Sequence, residues 1–109
     1  MIRGEVRWYT FRAPDKRRPV LILTRSSALS FLTGITVAPL TTIIREIPTE
    51  VLLTPQEDGV IEPCVVNLDN LQTIQKDQVG RLITTLSPLR MADVEQALCF
   101  ALGMDRRLR

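Results

Sequence analysis

Residues 16–23 read KRRPVLIL, and this stretch decides the fold. A basic triplet passes through Pro19 into residues 20–24, a continuous apolar run typical of a strand buried on both faces. Proline suits the first position of such a strand, where no ladder donor is needed. Arg18 is thereby left at the mouth of whatever the strand builds. A second apolar strand, residues 35–40 (ITVAPL), ends in Thr41 and Thr42, with Pro39 marking a bulge or an edge. A guanidinium and a hydroxyl presented by adjacent strand ends can grip and polarise a phosphate.

Short strands extend on both sides of this pair. Residues 5–11 alternate, with Val6, Trp8 and Thr10 on one face and Arg7 and Tyr9 on the other. Further strands are expected at 47–53, 64–68, 71–75 and 80–86, the last with Leu82 and Thr84 facing in. Residues 26–30 read as a turn or one short helical turn, 42–46 as a loop and 55–59 as a turn. The chain closes with a helix. Ser87 is a natural N-cap, Pro88 fits the first helical position, and Met91, Val94, Leu98 and Ala101 recur at helical spacing up to a Gly103 cap. Six or seven short strands and one terminal helix predict a mainly β protein, a small, strongly bent antiparallel barrel. Its edge strands would be covered in a homodimer.

The composition sets bounds on function. The 109 residues carry 45% hydrophobic and 24% charged side chains and suit a single domain over 1–109. A net charge of +2 gives no global basic field, yet two local knots, Lys16–Arg17–Arg18 and Arg106, Arg107 and Arg109, could hold phosphate. The terminal knot reads as a solvated tail. Cys64 and Cys99 sit among apolar residues and read as buried free thiols of a reducing compartment. With no His and two scattered cysteines, no metal site and no cofactor are expected. The absence of a leader-like or membrane-spanning apolar run suggests a cytoplasmic protein without membrane contact.

The ordered segments GEVRWYTF, RRPVLIL, ITVAPLTT, IPTEVLL, VVNLDNLQTI and SPLRMADVEQALCFALG resemble the MazF/PemK toxin family from Gly4 to Gly103. The resemblance implies an SH3-like barrel of the toxin type, a bacterial homodimer, and metal-independent cleavage of single-stranded RNA at short sequences. The family's strand-start Arg matches Arg18, its Thr after the next strand matches Thr41, and an acidic residue used by some members falls at Asp69. A cognate antitoxin is implied, whose disordered, acidic C-terminal segment would engage the Lys16 to Arg18 knot. The chain also departs from the family. The loop before Arg18 is short, with Asp15 as a stand-in acid, and the places after Asp69 hold Asn70, Leu71 and Gln72. Asn67 occupies a place where some members carry a basic residue.

RNA brings its own nucleophile, the 2′-OH, so Arg18 could stabilise the phosphorane while Thr41 orients the phosphate. Asp69 or Asp15 is the candidate proton acceptor, since Arg is too weak a base. Lys16, Arg17 and Thr42 would contact the RNA backbone, and Asn70 and Gln72 could read base edges. Trp8 reads as core more readily than as a stacking platform. Two non-catalytic alternatives use a barrel of this type. A gyrase poison of this fold needs a Trp near the C-terminus, whereas the only Trp here is Trp8. A simple nucleic-acid-binding module would lack cleavage.

Overall fold

The computed structural model describes residues 1–12 and 16–105. Strands β1 (Glu5–Phe11), β2 (Lys16–Ile22), β3 (Gly34–Thr41), β4 (Glu50–Leu53), β5 (Cys64–Asn67), β6 (Gln72–Gln75) and β7 (Leu82–Thr85) precede the helix α2 (Pro88–Ala101). A one-turn helix, α1 (Pro55–Asp58), lies between β4 and β5. Every pairing is antiparallel, in the order β4-β5-β3-β2-β1-β7, with β6 also on β3. The sheet forms a bent half-barrel with the helix against it. Asp15, Arg106, Arg107 and Arg109 lie outside the described residues, as does the side chain of Lys16.

β2 separates two cores. Val20, Leu21 and Ile22 are all completely buried. Leu21 joins Val6, Ala38, Leu53 and Val66 with Met91, Val94 and Ala97 of α2. Val20 and Ile22 point the other way, into Ile35, Val37 and Ile74, with Tyr9 and Phe11 packed alongside. This two-sided burial is what the unbroken apolar run requires.

β2 begins at Lys16 rather than at Pro19, because β1 pairs with it from Lys16 to Leu21. Pairing with β3 starts only at Val20, so the missing N–H of Pro19 falls where β3 takes no part. Pro39 similarly falls between two partners of β3, with β6 paired up to Val37 and β5 from Leu40. The strand expected at 47–53 is reduced to β4. In β7, a register shift places Thr84 opposite Val6 but Leu82 opposite Arg7. Ile83 is the extra residue; it packs on the core while Leu82 is half exposed, the reverse of simple alternation.

α2 starts as its sequence dictates. The Ser87 hydroxyl accepts from the Arg90 N–H at 3.1 Å, Pro88 occupies the first turn, and Gly103 takes φ +72° just past the end. Arg90 ties the helix to α1. Its Nε donates to Asp58 at 2.9 Å, and its other nitrogens meet Glu57 at 2.8 Å and Asp93 at 3.0 Å. The Asp58 carboxylate is 3% exposed and also accepts from the Thr54 N–H at 2.9 Å. Arg90→Ala strands this buried charge and is expected to lower stability by about 3 kcal/mol in urea unfolding. Glu95→Ala, which breaks the exposed Arg3–Glu95 pair, should cost less than about 1 kcal/mol. Equal losses would show that the Asp58 carboxylate is effectively hydrated.

Candidate functional site

Side chains alternate along a strand, and this divides the basic knot. Arg18 stands opposite Tyr9 and Arg17 opposite Thr10, so the two guanidinium groups leave opposite faces of the β1–β2 ribbon. Arg17 lies over the Trp8 ring, 4.0 Å from its centroid, in a cation–π contact. Trp8 is therefore half-buried at the surface rather than in the core. Pro19, opposite Trp8, shares that face, and a cavity of about 260 Å³ opens there against Thr42 and Ile61.

Arg18 opens instead into a cavity of about 450 Å³. Phe11, Pro39 and Ile43 form its apolar walls, and Thr41, Arg45, Asn67, Asn70 and Gln72 its polar ones. Phe11 is braced edge-on by Tyr9, with centroids 4.8 Å apart. The Thr41 hydroxyl oxygen accepts from the Ile43 N–H at 3.2 Å, which leaves its proton to donate elsewhere. Among the described residues no acceptor engages the Arg18 guanidinium. Thr41 ends β3 between the two cavities and lines both. The structure thus brings Arg18, Thr41, Asn70 and Gln72 together, with Asn67 beside them, and leaves Arg17 and Thr42 on the other face.

Arg45 was not singled out from the sequence. It sits on the loop after β3, shaped by the Glu50 carboxylate, which is only 2% exposed. Glu50 accepts from the backbone N–H of Arg45 at 2.9 Å, from that of Glu46 at 3.2 Å and from Arg45 Nε at 2.5 Å. Glu46 has φ +57° here, a strained value for a residue with a side chain. The Glu50 hydrogen bond, helped by Asp69, raises the Arg45 pKa. The second terminal nitrogen of Arg45 reaches Asn67 Oδ1 at 3.2 Å and both Asp69 oxygens at 3.4 Å. Asp69 also accepts from Thr49 Oγ1 at 3.1 Å and does not line the cavity. The usable signal was REIPTE, a charge pair spanning the turn beside Thr41.

A larger groove of about 830 Å³ lies between β4 and α2. Its cation, Arg90, is already held by three carboxylates, so that groove offers little to a phosphate.

A family model described as the PemK-like, MazF-like toxin of type II toxin–antitoxin systems matches residues 2–102. The chain belongs to this family. Endoribonuclease MazF3 of Mycobacterium tuberculosis is 46% identical over 89 residues, 82% of either chain. The solved structure of Mycobacterium tuberculosis toxin MazF-mt6 is 37% identical with a TM-score of 0.79, over 91% of this chain and 98% of that one. A mycobacterial endoribonuclease solved with its cognate antitoxin is 30% identical with a TM-score of 0.85, over 95% and 96% respectively.

In this MazF/PemK-family protein, the described lining of the Arg18 cavity has no carboxylate, thiol or amine. No cluster of three metal-ligating side chains occurs among the described residues, and no helix there is long and apolar enough to cross a membrane. Cys64 lines the smaller cavity, but burial, helped by Glu62 and Asp58, pushes its thiol up to about 11. A thiol is a nucleophile only when ionised, so Cys64 stays inert at neutral pH. Iodoacetamide at about pH 8 is expected to modify the partly exposed Cys99 and spare Cys64 in the folded protein, by peptide mass mapping. Equal labelling would show that the Cys64 wall opens.

Proposed function

We propose that this protein is the toxin of a type II toxin–antitoxin pair and an endoribonuclease that cuts single-stranded RNA without a metal. The observation carrying this reading is that Arg18 and Thr41 share one cavity, with a guanidinium and a hydroxyl proton both available to a phosphate. The names of its relatives, endoribonucleases that include one solved with an antitoxin, support it.

In the reaction, the 2′-oxygen attacks phosphorus and loses its proton as the P–O5′ bond breaks and the 5′-oxygen gains one. The products are a 2′,3′-cyclic phosphate and a 5′-OH. Arg18 neutralises charge building on the non-bridging oxygens, and Thr41 donates to one of them and fixes the in-line geometry. Asp69 acts through Arg45 rather than as the proton acceptor, consistent with its place outside the cavity lining. Without an imidazole, such a site works by charge and orientation and is slow beside a His-based nuclease.

The protein works as a cytoplasmic homodimer. A disordered C-terminal segment of the antitoxin folds across it, with its carboxylates over the Arg18 cavity. Arg17 and Lys16 add backbone attraction.

Purified protein incubated with long mixed-sequence RNA in excess EDTA is expected to give discrete cuts bearing 2′,3′-cyclic phosphate. Arg18→Ala should slow them by about 10²- to 10³-fold, with RNA binding largely kept, and Thr41→Val by about tenfold. No cuts from folded, dimeric wild type would overturn the nuclease and leave a binding module.

A further inference from the structure

The amide side chains in the Arg18 cavity carry hydrogen-bonding directions that can be counted. Asn67 is the clearest case. A guanidinium has donors only, so the Asn67 atom held by Arg45 at 3.2 Å is its carbonyl oxygen. Asn67 then has its NH₂ to offer the cavity. Arg45 is itself held by the buried Glu50, so this orientation is built into the loop. Asn70 and Gln72 bond to each other, Gln72 Nε2 to Asn70 Oδ1 at 3.0 Å. Either way round, that pair leaves one free NH₂ and one free carbonyl. Among the described residues, none of these three free groups has another partner. These three amide side chains therefore present two donor groups and one acceptor between them.

We propose that this wall reads a pyrimidine base beside the scissile phosphate, with Asn67 as a specificity-determining residue and Arg45 as the residue that positions it. The inference rests on the nuclease reading above and adds the class of base it recognises. The pairing edge of uracil has acceptors at O4 and O2 and a donor at N3. Cytosine has acceptors at N3 and O2 and a donor at N4. Both complement two donors and one acceptor. Guanine offers one acceptor and two donors, which leaves like groups facing each other, and adenine offers only one of each. Phe11, Pro39 and Ile43 supply apolar surface for the faces of the ring. The cavity, about 450 Å³, is of small-molecule size and adjoins Arg18 and Thr41.

Asn67→Asp turns the fixed donor into an acceptor while keeping a partner for Arg45. The three side chains at 67, 70 and 72 then offer one donor and two acceptors, the complement of guanine. Arg45→Met frees Asn67 to present either end. The test digests a randomised RNA pool with wild type and both variants and sequences the cut ends. Wild type should prefer a pyrimidine over guanine about fivefold or more at one position flanking the cut. Asn67→Asp should reverse that ratio at that position alone, and Arg45→Met should flatten it. Fluorescence anisotropy with oligonucleotides made uncleavable by one 2′-deoxy sugar gives the same preference from binding. Urea midpoints show that each variant is folded. Cutting with no pyrimidine position, or an Asn67→Asp enzyme that only slows uniformly, overturns the inference and leaves the nuclease standing. If nothing is cut, the nuclease reading falls, and the anisotropy series decides the base preference by itself.

Discussion

The register of β2 against β1 is the constraint on which the rest depends. Val20, Leu21 and Ile22 are each fully buried, alternately in two cores, so the strand cannot slide by one residue without turning every side chain to the wrong side. The same lock reaches back through Pro19 to the basic residues. It puts Arg18 with Tyr9 and Phe11, and Arg17 over Trp8. A rigid double core thus aims one guanidinium at a cavity and stacks its neighbour away from it.

Charge is arranged differently on the two sides of the sheet. Around α2, carboxylates consume the cation: Arg90 meets Glu57, Asp58 and Asp93, which serves stability. In the Arg18 cavity, Arg45 is consumed in the same way by Glu50 and Asp69, whereas Arg18 stays available among the described residues. The held cation shapes the loop and orients Asn67, and the available one can meet a phosphate. The proposed catalysis therefore draws on preorganised charge and geometry.

Much of this was legible in the sequence, for identifiable reasons. The apolar run at 20–24 is typical of a doubly buried strand, and Ser87, Pro88 and Gly103 punctuate a helix by purely local chemistry. Arg18 and Thr41 could be paired because each flanks an apolar run. The division of the basic knot is not legible in the sequence, because Pro19 reads as the strand's start and Lys16, Arg17 and Arg18 then read as a loop without alternation. Leu82 faces outward, against simple alternation, because a bulge depends on the partner strand, not on the residues of β7. Arg45 escaped notice because its place depends on the burial of Glu50, a tertiary fact written nowhere in the loop itself.

The most direct test of the central claim, that alternation along β2 assigns chemistry to Arg18 alone, is chemical rescue. Single-turnover RNA cleavage by Arg17→Ala and Arg18→Ala would be measured with and without free guanidinium ion. The account predicts that Arg18→Ala is crippled and partly restored by guanidinium, while Arg17→Ala cuts bound RNA at nearly the wild-type rate and gains nothing from the ion. Equal losses in the two variants, or rescue of Arg17→Ala instead, would contradict it.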